Sequence, residues 1–291
     1  MSDTAAALRT SVGRYGVWSA ALRAEDAEGR GARAEAAAEL EELGFGALWL
    51  GGNSFAEHAV PLIEATSRIV VGTSIQSIWE HEASEAAARF AELEVARPGR
   101  FVLGLGVSHG PMVKGYQRPY SAMVAYLDAL DRAGVPDHHR LLAALGPRML
   151  ELSRDRAAGA IPYLVTPEHT AKARELLGDG PLLAPEFKVV LESDPARARA
   201  TARGYLARYL RLPNYTDNFL RLGFTDADVA DGGSDRLIDA VFAWGSDDTV
   251  RRRIAEFHEA GADHVALQLV EDGPGTSLPR EGWRRLAALL G

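Results

Sequence analysis

Residues 69–107 read IVVGTSIQSIWEHEASEAAARFAELEVARPGRFVLGLGV. The two apolar runs, 69–75 and 101–107, are bounded by turn residues and predict strands. Between them, 82–96 carries Ala, Leu, Glu and Arg at helical spacing and predicts a helix. A strand, a helix and a second strand in this order form the crossover that joins parallel strands. This stretch therefore predicts an α/β fold with a parallel sheet.

The same alternation continues on both sides of this unit. Strands are predicted at 15–18, 47–50, 69–75, 101–107, 141–145, 161–165, 187–191 and 265–270. Helices are predicted between them at 32–43, 82–96, 121–133, 147–157, 170–177, 195–210 and 247–260. Eight strands spread from end to end of a 291-residue chain without a linker favour a closed (β/α)8 TIM barrel over an open doubly wound sheet. We expect one domain, 1–291, in which 212–235 forms a partly helical insertion before the eighth strand.

Composition excludes several classes of function. The chain is 47% hydrophobic and 25% charged, which is typical of a folded globular protein. Its 32 Lys and Arg against 40 Asp and Glu give a net charge of −8, which argues against a nucleic-acid partner. Without cysteine it has no disulfide and no thiolate chemistry. No apolar run approaches the ~18 residues of a membrane span, and 1–14 lacks a signal-peptide core, so we expect a cytoplasmic protein without a membrane partner.

Barrels of this kind carry their active sites just after the C-terminal ends of the strands. The residues found there are Trp18, Gly51 to Ser54, Ser74 to His81, Ser108 to Gly110, Gly146 to Arg148, Thr166 and Gln268. Glycines, aromatic residues and small polar residues dominate this set, as expected for a mouth that receives a flat ring and a phosphate.

Three interpretations compete for GLGVSHGP, residues 104–111. Residues 106–110 match the G-x-S-x-G nucleophile elbow of hydrolases, but Pro111 follows and a clear helix begins only near Ser121. The spacing G-x-G-x-x-x-G departs from the dinucleotide fingerprint, and no acid ends a second strand about 20 residues on. In the third interpretation the glycines only let the strand pack and turn, with His109 as a solvated loop residue.

Three longer segments resemble a known family. The segments are RPGRFVLGLGVSHGPMV (97–113), ALGPRMLELSRDRAAGAIPYLVTPEHT (144–170) and DAVFAWGSDDTVRRRIAEFHEAGADHV (239–265). They are similar to the luciferase-like monooxygenase family, and specifically to its coenzyme F420-dependent oxidoreductase branch. The likeness runs over nearly the whole chain. It implies a barrel of the bacterial-luciferase type that binds the deazaflavin F420, with flavin mononucleotide (FMN) as the alternative, and it suggests a homodimer.

The resemblance also assigns cofactor-binding residues. It implies a non-prolyl cis peptide at Ser74–Ile75 against the ring, and a phosphate site after the fifth strand. The expected binding set is Ser74, Ile75, Ser77, Ser108, His109, Gly146, Pro147, Arg148 and Met149. The residues themselves agree with the phosphate site, because Gly146 permits close backbone approach, Pro147 suits a first helical turn, and a helix N-terminus attracts anions. An ordinary helix start is the alternative.

The catalytic residues depart from the family pattern. Sugar-phosphate dehydrogenases of this family place a histidine after the second strand and an acid after the fourth, where this chain carries Asn53 and His109. His109 has the right pKa range for a general acid or base, whereas Asn53 only forms hydrogen bonds. His81 is a second catalytic candidate, with a structural role at a helix start as its alternative. The histidines form no metal-ligand motif, so we expect no catalytic metal.

Together these features predict hydride transfer between F420 and a small organic substrate. Two alternatives remain open: an FMN-dependent monooxygenase, and a barrel that binds a ligand without catalysis.

Overall fold

The computed structural model describes residues 3–23, 27–113, 115–273 and 277–291. Its strands, in chain order, are β1 Tyr15–Ser19, β2 Ala47–Gly51, β3 Val70–Ser74, β4 Gln76–Ser77, β5 Phe101–Gly106, β6 Arg140–Leu142, β7 Gly159–Ala160, β8 Leu182–Leu183, β9 Glu186–Val190, β10 Phe242–Trp244 and β11 Val265–Leu269. The paired strands run parallel to one another, as the crossover pattern predicts.

The helices lie between and around these strands. They are α1 Asp3–Val12, α2 Ala27–Glu42, α3 Ala56–Glu64, α4 Ala83–Ala96, α5 Pro119–Arg132, α6 Pro147–Arg156, α7 Pro167–Leu177, α8 Pro195–Leu206, α9 Pro213–Arg221, α10 Asp226–Val229, α11 Asp235–Val241, α12 Asp247–Glu259 and α13 Arg280–Leu290. Each predicted helix has a counterpart, and α9 with α10 occupies the predicted insertion.

The sheet closes into a barrel. Its strand order is β10-β9-β11-β1-β2-β3-β5-β6-β7-β8, and β8 is separated from β9 only by Ala184 and Pro185. The backbone N–H groups of Ala184 and Glu186 donate to the carbonyl oxygens of Ala160 (2.9 Å) and Pro162 (2.8 Å). Together β8 and β9 therefore form one barrel strand between β7 and β11. The (β/α)8 barrel predicted from the sequence is confirmed.

One strand prediction is wrong, and the structure has short strands that the sequence did not predict. The sixth strand was expected at 161–165, but the ladder pairs Gly159–Ala160 instead. Pro162 has no N–H to donate, and Leu164 adopts a φ of 57°, so the chain leaves the extended conformation there. The short strand β10 was not expected; it extends the upper part of β9, where Phe242 pairs with Lys188.

The N-terminal end of the barrel is plugged by α1. Its buried Leu8 and Val12 pack into the barrel interior with Trp49, Val70 and other apolar side chains. A Cβ atom on Gly46 would lie 2.1 Å from the Val12 carbonyl oxygen, so this close approach requires glycine. The plug closes the lower end and leaves the C-terminal end of the strands open for a site.

Candidate functional site

A cavity of about 1440 Å³ opens at the C-terminal ends of the strands. It is lined by the segments that follow β1, β2, β3, β5, β6, β7 and β11, and by α8, α9 and the turn between them. Pockets for single ligands typically have volumes of about 300–1,000 Å³. The cavity therefore has room for a flat ring with a phosphate-bearing tail and for a small substrate.

The bulge between β3 and β4 forms one wall. The Ser74–Ile75 peptide bond is cis, as the resemblance implied. The Trp18 indole N–H donates to Ser74 Oγ at 3.0 Å, and the Ile75 carbonyl accepts the Ser54 amide at 3.0 Å. A Cβ on Gly106 would lie 2.6 Å from Ile75 Cδ1, so β5 packs directly against the bulge.

Asn53 connects the loop after β2 to β4 and to the segment that follows it. Its Oδ1 accepts the Ser77 amide at 2.9 Å, and its Nδ2 donates to Glu80. Its own carbonyl accepts from Arg23 at 2.7 Å. Asn53 and Ser77 both line the cavity, but the amide of Asn53 is already engaged with the protein. This arrangement favours a positioning role for Asn53.

His81 lies away from the cavity lining. Its Nδ1 is 2.9 Å from a Glu85 carboxylate oxygen, and its ring packs on Phe55 with a centroid distance of 4.0 Å. Both contacts are typical of a histidine that stabilises the start of a helix. The geometry does not bring His81 together with the other predicted site residues.

His109 follows β5 and lines the cavity. Its Nδ1 is buried and has no hydrogen-bond partner among the described residues. Burial lowers the pKa of His109, so the ring is neutral near pH 7 and can accept a proton. The neighbouring Ser108, with a φ of 53°, turns the chain and also lines the cavity.

The predicted phosphate residues lie together at the start of α6, and all four line the cavity. Gly146 is the N-cap residue in an extended conformation, and a Cβ on it would meet nothing within 4 Å. The exposed Arg148 guanidinium stacks over Tyr120 at 4.2 Å. A cation and the N-terminus of a helix at one place suit an anion.

The sequence analysis did not identify a cluster of three tyrosines that also lines the cavity. The hydroxyl groups of Tyr163, Tyr205 and Tyr209 lie within 2.7–3.0 Å of one another. Gln268 accepts from Tyr163 at 3.0 Å and donates to Tyr205 at 2.6 Å. The available signals were the four-residue spacing of Tyr205 and Tyr209, which places both on one helical face, and Gln268 at a strand end.

Two structural features are absent from the described part of the chain. Its His, Asp and Glu side chains form no group of three or more that could hold a metal ion. None of its helices combines the length and the apolar character that crossing a bilayer requires.

Comparisons with known proteins agree with this architecture. Residues 19–134 match the model of the luciferase-like monooxygenase family. A protein of Mycobacterium tuberculosis, provisionally named a coenzyme F420-dependent oxidoreductase, is 22% identical over 88% of this chain and 94% of its own length. The resemblance found in the sequence is confirmed.

Solved structures share the fold at low identity. An F420-dependent secondary alcohol dehydrogenase in complex with an F420-acetone adduct has a TM-score of 0.72 at 12% identity, covering 96% of this chain and 99% of its own. The coenzyme F420-dependent tetrahydromethanopterin reductase of Methanopyrus kandleri has a TM-score of 0.69 at 14% identity, covering 95% and 97%. The oxygenating constituent of 3,6-diketocamphane monooxygenase of Pseudomonas putida, in complex with FMN, also has a TM-score of 0.69, at 12% identity with 96% and 97% covered.

Proposed function

We propose that this chain is an F420-dependent oxidoreductase that transfers a hydride between the deazaflavin and a small organic substrate. The observation that carries the proposal is one cavity that joins the Ser74–Ile75 bulge to the N-terminus of α6. The similarity to the F420-dependent relative supports the choice of cofactor.

The residues present fit such a cofactor. Gly146 leaves open space where a phosphate would approach the backbone, and Arg148 supplies a positive charge without a carboxylate partner among the described residues. Ser74, Ile75 and Ser77 would lie beside the ring, with Ser108 and His109 on the neighbouring strand end. Bound there, deazaflavin supplies a carbon that takes up or releases a hydride as a two-electron carrier.

The chain's own contribution is orientation, exclusion of water and movement of one proton. The bulge, fixed by Trp18 and Gly106, provides a rigid support on one side of the ring site. His109 is our candidate for proton exchange, because the residue lines the cavity, its buried Nδ1 has no hydrogen-bond partner among the described residues, and burial lowers its pKa. Ser108 is the competing candidate at the same strand end.

Titration of the purified protein with F420 and, separately, with FMN tests the cofactor by absorbance and fluorescence. We expect saturable binding of F420, and weaker binding of FMN. Reduced F420 mixed anaerobically with a panel of carbonyl compounds should then be reoxidised only in the presence of protein. Failure to bind F420 in a folded preparation would overturn the proposal.

An FMN-dependent monooxygenase is the second candidate, and the FMN-bound neighbour of the same fold supports it. Preferential binding of FMN, with oxygen-dependent turnover, is the outcome that would favour it. Cofactor binding without any turnover across the panel would favour a non-catalytic barrel. The homodimer and the cytoplasmic location stay predictions, which size-exclusion chromatography and cell fractionation can test.

A further inference from the structure

The tyrosine cluster is built as one hydrogen-bonded unit. Tyr163 OH lies 2.7 Å from Tyr205 OH and 2.9 Å from Tyr209 OH, and the hydroxyl oxygens of Tyr205 and Tyr209 are 3.0 Å apart. We call these three residues the tyrosine triangle. The three residues come from the segment after β7, from α8 and from the turn that follows α8. All three line the cavity, so the unit faces the same space as the bulge and His109.

Counting hydrogens singles out Tyr209. The Oε1 atom of Gln268 can only accept, so it takes the Tyr163 hydrogen, and its Nε2 donates to the Tyr205 oxygen. The Tyr205 hydrogen has an acceptor in Tyr163 at 2.7 Å. Among the described contacts, Tyr209 has no bond to Gln268, so its hydrogen can turn to a ligand while the other two hydroxyls remain paired.

Two cations flank the triangle. The Lys188 ammonium, fully buried below it, lies 3.8 Å from the centroid of the Tyr163 ring and pairs with Glu186 at 2.6 Å. The exposed Arg208 guanidinium stacks on Tyr205 at 4.0 Å and lies 5.1 Å from the Tyr209 ring. No carboxylate among the described residues pairs with Arg208. With one carboxylate paired to Lys188 and none of the described ones paired to Arg208, the cluster has a cation available for a ligand oxygen that carries negative charge.

We propose that the tyrosine triangle is an oxyanion subsite, in which Tyr209 donates to a substrate oxygen that bears or develops negative charge. This identifies the substrate class as compounds with a carbonyl, enolate or phenolate oxygen on a flat apolar body, because the rings of Trp18, Tyr163 and Tyr215 wall the same space. Hydrogen-bond donors placed where charge develops are among the largest contributions to enzymatic rates.

The subsite depends on the proposed function in one respect, which is that the cofactor proposed there supplies the hydride. In the reduction of a carbonyl compound, deazaflavin held at the proposed site would supply the hydride to the carbonyl carbon, and the electron pair of the C=O π bond would move to oxygen. That oxygen takes the Tyr209 proton, and a proton from water at the cavity mouth restores the hydroxyl. The substrate gains two electrons and two hydrogens, and the deazaflavin is oxidised.

Binding of a chromogenic oxyanion to the cofactor-free protein tests the subsite independently of turnover. The probe is 4-nitrophenolate at a pH where it is ionised, followed by its visible absorbance, with 4-nitroanisole as the matched neutral ligand. Tyr209→Phe should weaken phenolate binding about tenfold or more and leave anisole binding unchanged. Tyr116→Phe is the control, because its hydroxyl lies in the same cavity but bonds to Asn214.

A second variant separates charge from hydroxyl. Arg208→Met should weaken phenolate binding while Arg208→Lys largely preserves it, with anisole again unaffected. Equal phenolate affinity in wild type and Tyr209→Phe, or equal losses in Tyr209→Phe and Tyr116→Phe, would overturn the subsite. If F420 fails to bind but the phenolate results hold, the proposed function fails and the subsite stands. If F420 binds but the variants do not change phenolate binding selectively, the subsite fails and the proposed function stands.

Discussion

Replacing Gly146 by valine tests where the cofactor phosphate binds. The residue has a φ of −101° and a ψ of 161°, which valine adopts readily, and a Cβ there meets no atom within 4 Å. The fold should therefore accept the new side chain. The expected cost is the difference between glycine and a β-branched residue at an N-cap, about 1 kcal/mol at most.

The effect on cofactor binding should be larger. Pro147 has no N–H, so the Arg148 amide is the first donor that α6 offers to an anion. A hydrogen bond to a charged group contributes about 1.5–3 kcal/mol, and the helix dipole adds about 0.3–1 kcal/mol. A valine side chain in this space would push the phosphate away from both. We expect a loss of at least tenfold in F420 affinity, which is ~1.4 kcal/mol.

The assay is a fluorescence titration with F420, paired with thermal unfolding of each variant. Gly31→Val is the control, since Gly31 on α2 likewise has open space around it and does not line the cavity. Its affinity should equal that of the wild type. A folded Gly146→Val protein that binds F420 as tightly as the control would refute the placement.

Three further outcomes are expected. His109→Ala should lower turnover about 10²–10⁴-fold with nearly unchanged F420 affinity, and a larger loss in Ser108→Ala would move the proton to the serine. Burial lowers the pKa of His264 to about 4. As the pH falls from 6.5 towards 4, the unfolded chain takes up the proton before the folded one, and about 3 kcal/mol of the free energy of unfolding is lost. The free energy of unfolding of His264→Gln, measured in urea, should depend less on pH than that of the wild type, and equal dependence would contradict this. In Gly104→Ala the new Cβ would lie 1.8 Å from the Thr73 carbonyl oxygen, so β3 or β5 must shift at a cost of about 1–3 kcal/mol, and an unchanged melting temperature would show this to be wrong.

The barrel was predictable because its signals are local. Apolar runs separated by helices specify parallel strands, and each predicted run except 161–165 contains strand residues of the structure. The failures occur where tertiary context overrides the pattern. Residues 161–165 are apolar enough for a strand, but Pro162 removes an N–H from the ladder. The strand β10 has three residues, too few for a periodicity to show.

The residues that line the cavity also differ in how far the sequence predicts them. The wall formed by the bulge, His109 and the start of α6 follows strand ends directly, so sequence position alone brought these residues together. His81 shares that position, but its Nδ1 contacts Glu85 in the first turn of α4, its ring packs on Phe55, and it does not line the cavity. Proximity to a strand end alone therefore does not place a side chain in the cavity.

The tyrosine wall could not be read from the chain, because its members are brought together only by folding. Tyr163 is separated by 42 residues from Tyr205 and by 105 from Gln268, and Lys188 lies on a further strand. Their chemistry also depends on the surroundings. Burial raises the pKa of Tyr209 well above its ordinary value and lowers that of His109, so both groups are neutral near pH 7. His109 and Tyr209 both contact the Tyr215 ring, with centroid distances of 5.2 Å and 5.4 Å, so a neutral base and a neutral acid border the same cavity and each can exchange a proton with a ligand placed there.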